Sequence, residues 1–158
     1  MNVAGATPYA ETRGECVAVE GRVTRTLDGV ASPRGVRFDA STHVASALLA
    51  AREVDATLRF ATNCRYDDAV AAALADLGGA VAEYDREADA RGDVVEASHG
   101  GPGGAVTRRG VEAAVAAAGG TPVAVVGRGG EKGPLATLFA PDTETLVERT
   151  DALLGAVS

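Results

Sequence analysis

Twice in this chain a short apolar run gives way to a helical pattern that stops on a glycine pair, and this alternation limits the fold more than any other feature. Residues 58–63 (LRFATN) read as a strand, and residues 66–77 as a helix with Asp67 and Asp68 in its first turn and Gly78-Gly79 as its stop. Residues 80–84 form the next expected strand. The pattern repeats with a helix over 106–118, a stop at Gly119-Gly120 and a buried strand over 122–126. Strands alternating with helices mean an α/β fold. Residues 135–139 are expected as a further strand, and Pro141-Asp142 as the opening of a terminal helix through Leu153.

The first third reads differently. The segment to about Glu15 is turn-rich, and residues 16–19 and 23–27 look like strands around Glu20-Gly21. Asp28-Gly29 signals a tight turn, and residues 30–38, broken by Pro33 and Gly35, suit an irregular or edge strand. Residues 38–50, FDASTHVASALLA, start a helix capped by Asp39, Ala40 or Ser41, with His43 in its first turn beside open N–H groups and the positive end of the helix dipole. Residues 86–104 are polar, end in His99-Gly-Gly-Pro-Gly-Gly104, and read as a flexible connection. With 158 residues, 46% of them hydrophobic, and no internal repeat or long linker, the chain suits one domain over residues 1–158.

Composition removes several function classes. A net charge of −7 and the absence of a basic stripe argue against nucleic-acid binding, and an aromatic content of 4% leaves no stacking platform. Lys132 is the only lysine among 15 basic residues, and an acidic, Ala-, Gly- and Asp-rich chain suits a salt-rich cytoplasm. No apolar run is long enough for a membrane span and the first residues lack a signal-peptide profile, so a cytoplasmic protein is expected. Cys16 and Cys64 lack CxxC or His-rich spacing, so they read as buried thiols rather than zinc ligands or a disulfide.

Four segments carry anion chemistry. Arg22 follows a glycine; Ser41, Thr42 and His43 open a helix; Asn63 and Arg65 stand where a strand gives way to a helix. Guanidinium forks and open N–H groups match phosphate oxygens. The loop GRGGEKG at 127–133 combines Arg128 and Lys132 with the backbone of Gly129 and Gly130, as in an anion nest. Each piece alone is weak: a histidine near a helix start is often a surface residue, and a glycine-rich turn with one arginine is usually just a turn. Asp85-Arg86 reads most simply as a solvated strand end. The chain holds no P-loop, no G-x-S-x-G elbow and no carboxylate dyad.

In order, EGRVTR (20–25), FDASTHVASALLAA (38–51), ATNCRYDDAV (61–70), YDRE (84–87) and PVAVVGRGGEKGP (122–134) resemble the archaeal ThiN-type thiamine-phosphate synthase domain across nearly the whole chain. The resemblance implies a three-layer α/β/α sandwich with a mixed sheet, of the class II aldolase/adducin N-terminal-like kind. It implies condensation of hydroxymethylpyrimidine diphosphate with hydroxyethylthiazole phosphate to thiamine phosphate and pyrophosphate. Arg22 and His43 take the catalytic positions, and Ser41, Thr42, Asn63, Arg65, Arg128, Gly129, Gly130 and Lys132 the phosphate-binding ones. Mg²⁺ is expected with the pyrophosphate, with no organic cofactor and no resident metal site. Small phosphorylated pyrimidines and thiazoles are the expected partners, with a homo-oligomer open.

Two departures bear on this. Catalytic members usually carry a helix ahead of the stretch similar to MNVAGATPYA, at which this chain opens. The late loop has Gly127 where the family has Asp, Gly133 where it has Glu before Pro134, and is one residue shorter. Related domains also serve, behind a DNA-binding helix-turn-helix in ThiR-type regulators, as thiamine-phosphate sensors, so a non-catalytic binding role is the alternative.

Overall fold

The computed structural model describes residues 1–32, 34–87, 101–130 and 133–157. Among the described residues these elements are assigned: β1 (Asn2–Ala6), β2 (Cys16–Val19), β3 (Thr24–Thr26), β4 (Gly29–Ala31), β5 (Val36–Phe38), α1 (Thr42–Arg52), β6 (Phe60–Arg65), α2 (Asp68–Asp76), β7 (Val81–Asp85), α3 (Gly101–Ala118), β8 (Ala124–Arg128), β9 (Leu135–Ala140) and α4 (Thr143–Val157). A 3₁₀ turn spans Arg13–Glu15. Seven strands form one mixed sheet in the order β5-β2-β1-β6-β9-β8-β7, in which only β7 and β8 are parallel. β3 and β4 make a separate two-stranded ribbon.

Side chains alternate across the sheet and divide the interior into two cores. Val125 and Phe139 face α1 and α3 together with Ala4, Ala18, Ala61 and Ala82; their neighbours Val126 and Leu138 face α2 and α4 with Val70, Leu74 and Leu153. Helices therefore cover both faces, α1 and α3 on one and α2 and α4 on the other. α1 is buried along nearly its whole length because eight consecutive residues from Val44 to Ala51 are small or apolar and lie between the sheet and α3. No helix among the described residues is long and apolar enough to cross a membrane.

Several expectations shift. The turn-rich opening contains β1, which lies between β2 and β6 near the middle of the sheet; its small residues suit close packing, since a Cβ on Gly5 would come within 2.9 Å of the Phe60 ring. The strands expected at 16–19 and 23–27 around Glu20-Gly21 do not pair with each other: β2 pairs with β1 and β5, while β3 turns back on β4. The edge strand expected over 30–38 divides into β4 and β5, and Pro33 lies outside the described residues.

The strand expected over 58–63 runs instead to Arg65, because its pairing with β9 continues to Arg65 opposite Leu135. α2 starts at Asp68, with Asp67 outside it as the N-cap accepting the Val70 N–H at 3.1 Å. Asp142 does the same for α4, taking the Thr145 N–H at 2.7 Å, and those bonds hold its carboxyl below the usual range. α3 begins at Gly101, inside the Gly-Pro-Gly-Gly stretch expected to be a connection. Gly104 explains the choice, since a Cβ there would stand 2.9 Å from Thr42 Cγ2 and 3.2 Å from Ser46 Oγ of α1. His99 lies outside the described residues. Cys16 is fully buried, which pushes its thiol up to about 11, and Cys64 is half-buried.

Candidate functional site

Strand register decides which of the sequence segments meet. β6 ends at Arg65 opposite Leu135 at the start of β9, and Gly127 near the end of β8 pairs with the same Leu135. Asp85, the last residue of β7, is level with Arg128. On the other side of β6, Asn2 is level with Asn63, and the Val23 N–H donates to the Met1 carbonyl at 3.0 Å. The Glu20-Gly21-Arg22 turn, Asn63 to Tyr66, Tyr84 to Glu87 and Gly127 to Gly130 thus share one edge of the sheet.

Asn2 ties the first two of these together. Its side-chain amide donates to the carbonyls of Val19 and Gly21, 3.2 Å each, and its backbone N–H donates to Asn63 Oδ1 at 2.8 Å. Gly21 takes φ 88°, a left-handed turn that an L side chain resists. Arg22 projects from that turn, exposed, and Arg65 leaves the end of β6, also exposed. Among the described residues neither has an ion-pair or hydrogen-bond partner, whereas Arg13, Arg37, Arg108 and Arg128 each hold a carboxylate. One asparagine after the first methionine carries no sequence pattern, so only the fold shows the role of Asn2. Asn2→Ala should keep the fold but loosen the Arg22 turn, lowering ligand affinity about 5- to 10-fold in calorimetry, the scale of one or two lost hydrogen bonds.

At the start of α1, Ser41 is the N-cap, buried, its hydroxyl accepting the Val44 N–H at 3.3 Å. Thr42 Oγ1 accepts from Arg13 Nη1 at 3.0 Å, and Arg13 also pairs with Asp39 at 3.3 Å. Each hydroxyl thus spends one lone pair on the helix start, while its O–H is the group suited to an anion. Asp39 sits at φ 56°, a left-handed position that turns β5 into the helix. His43 is exposed on the first turn, with Nδ1 3.1 Å from Oγ1 of the buried Thr107 on α3. That contact orients the imidazole between two helices.

The late loop is more internally bonded than its sequence suggests. Arg128 belongs to β8 and makes a two-pronged contact with Glu83, at 2.9 and 2.7 Å, with its guanidinium 5.0 Å from the centre of the Tyr66 ring. The hydrogen bond from Arg128 holds the Glu83 carboxyl below its usual range. Gly129 and Gly130 have φ of 77° and 83°, and the Gly130 N–H donates to Glu87 Oε1 at 3.3 Å, so a carboxylate rests on part of the expected anion nest.

Arg86, read from sequence as a solvated strand end, instead reaches the loop: Nη1 lies 3.4 Å from the carbonyls of both Gly129 and Gly133. Gly127 allows this, since a Cβ there would come within 2.8 Å of Arg86 Cδ and 2.9 Å of the Tyr84 hydroxyl. Lys132 lies outside the described residues. Among the described residues no three His, Cys, Asp or Glu gather to hold a metal ion. The donors at this edge are cationic and N–H-rich, which suits phosphate better than a divalent metal.

Two solved structures share the fold. The C-terminal domain of protein MJ0236 superposes with a TM-score of 0.80 at 23% identity, covering 99% of this chain and 81% of that one. The C-terminal domain of a phosphomethylpyrimidine kinase gives 0.79 at 24% identity, covering 96% and 83%. At such identities the likeness is one of fold. No curated protein sequence matches the chain. The family described as thiamine-phosphate synthase ThiN matches residues 1–152, nearly the full length and every loop of the shared edge. The chain belongs to the ThiN family.

Proposed function

We propose that this chain is a thiamine-phosphate synthase, joining hydroxymethylpyrimidine diphosphate to hydroxyethylthiazole phosphate. The observation that carries the reading is the pair of exposed arginines, Arg22 and Arg65, without carboxylate partners among the described residues, on one sheet edge of an acidic ThiN-family chain. In the reaction the bond between the pyrimidine methylene and the diphosphate oxygen breaks, and its electron pair leaves with pyrophosphate. The thiazole nitrogen then gives its lone pair to the methylene carbon, forming the C–N bond of the thiazolium product. Arg22 stabilises the negative charge that grows on the leaving group; His43, at the start of α1 and so at the Cys16 end of β2 rather than the Arg22 end, is in this reading the group that gives it a proton or hydrogen bond. Arg65, Asn63 and the Gly129 backbone bind the remaining phosphate oxygens, the Gly130 N–H being held by Glu87, with the hydroxyls of Ser41 and Thr42 donating at the start of α1.

Mg²⁺ in this reading is carried by the diphosphate itself. The ThiN resemblance implies a class II aldolase-like arrangement for the sheet with its two helical faces, and the acidic, lysine-poor composition supports a salt-rich archaeal cytoplasm.

A second reading is that the domain binds thiamine phosphate without turnover. It is favoured by Gly127 in place of an acidic side chain and by Arg128 being committed to Glu83 and Tyr66. Incubating the protein with both precursors and Mg²⁺ and measuring thiamine phosphate and pyrophosphate separates the two, since product formation excludes the sensor reading. Calorimetry with thiamine phosphate and with thiamine tests phosphate recognition itself. The phosphate is expected to tighten binding by about 1.5–3 kcal/mol, the range for a charge-assisted contact, and equal affinities would overturn phosphate recognition as what organises the site.

A further inference from the structure

On the face opposite α1 and α3, α4 leaves strands β1, β2 and β5 bare and closes one side of a groove of about 440 Å³. Its lining is almost wholly apolar and includes Met1, Val3, Val19, Val36, Phe60 and Val147. Val36 is 65% exposed and Val147 56%, and β5 leaves the outer edge of its backbone unpaired in the sheet. From the top of the same strands the chain runs out into the β3–β4 ribbon, whose tip residue Leu27 is completely exposed and whose Val30 is 76% exposed. An apolar groove and an apolar-tipped arm therefore occur on one molecule.

Their charges are complementary. The arm and its base carry Arg22, Arg25, Arg34 and Arg37 against Glu20 and Asp28, and Arg25 and Arg34 have no carboxylate partner among the described residues. The groove's helical wall carries Glu144, Glu148 and Asp151, with Asp142 just before it, against Arg149 alone. In a chain of net charge −7, two acidic surfaces would repel; a basic arm on an acidic wall is the combination that attracts.

We propose that the groove is filled by the β3–β4 arm of a second copy of this chain, in a two-fold dimer whose copies exchange arms. Leu27 and Val30 enter the apolar groove and Arg25 lies against the acidic side of α4. The exchange is self-complementary, so two contacts close the assembly and leave neither groove open. The Arg22 turn forms the base of the arm, so dimer formation also fixes the backbone from which that arginine projects.

Sedimentation velocity of the full chain across a micromolar concentration series tests this. A dimer is expected, and Leu27→Asp and Val147→Asp, on opposite sides of the contact, should each raise its dissociation constant about tenfold or more, as loss of a buried apolar anchor does. Both residues are exposed in the single chain, so circular dichroism should show each variant folded. Arg25→Glu should weaken the dimer, and adding Glu148→Arg should restore part of the loss. Mixing Leu27→Cys protein with Val147→Cys protein under oxidation should give a disulfide-linked pair of one chain of each kind. A monomeric parent protein overturns the proposal, as does a dimer indifferent to both aspartate variants. A Leu27→Cys, Val147→Cys double variant that links only within one chain also overturns it, by assigning the groove to the chain's own arm.

Discussion

Replacing His43 by alanine should lower thiamine phosphate formation by about 100-fold or more, the scale for losing a general acid or a donor to a developing anion. The fold should survive. His43 is exposed, while the cap that starts α1 belongs to Ser41 and the apolar anchoring to Val44 and the residues after it. A control follows from the contact between Nδ1 and the Thr107 hydroxyl. Thr107→Val keeps the shape and the imidazole but removes its orienting partner, so its loss should be smaller, near the about 1 kcal/mol of a single hydrogen bond. If Thr107→Val costs as much as His43→Ala, the threonine acts on substrate directly. A fully active His43→Ala protein removes the histidine from the mechanism. In the sensor reading the parent protein shows no turnover, and the substitution weakens thiamine phosphate binding alone.

How far the sequence led can be judged at particular residues. α2 was legible because each of its signals is local: Asp67 caps it, Val70, Ala73 and Leu74 fall on one face, and Gly78 takes the left-handed turn that ends it. β1 was not, because NVAGA has the composition of a turn. It is a strand through its neighbours on either side, β2, which follows a turn, and β6, which lies far off in sequence. The start of α3 was misread for a related reason. Gly-Pro-Gly-Gly breaks an isolated helix, yet here Gly104 is where α3 touches Thr42 and Ser46 of α1, an approach that a side chain would block.

The candidate site divides along the same line. Residue types suited to phosphate were visible one by one, since a guanidinium after a glycine or an imidazole at a helix start is a local feature. Which carboxylates would occupy them was not visible. Glu83 meets Arg128 only because β7 and β8 run in register, and Arg86 reaches the Gly129 and Gly133 carbonyls only because Gly127 has no side chain. Of the arginines read as phosphate ligands, Arg128 is therefore the most engaged, while Arg22 and Arg65 have no carboxylate partner among the described residues.

That difference sets the second large effect. Arg22→Ala should reduce turnover by about 100- to 1000-fold, the range seen when one donor to a developing oxyanion is removed. Arg128→Ala should cost less, because its charge is already shared with Glu83 and the face of Tyr66. Arg22→Lys separates charge from geometry: it keeps a cation on the turn that Asn2 anchors but loses the two-pronged fork that matches a diphosphate, so an intermediate rate is expected. Single-turnover measurements show where the loss falls. An effect confined to substrate affinity means that Arg22 binds ground state and transition state alike, and full activity in Arg22→Ala would move the leaving group to another cation on this edge, with Arg65→Ala as the next variant to measure.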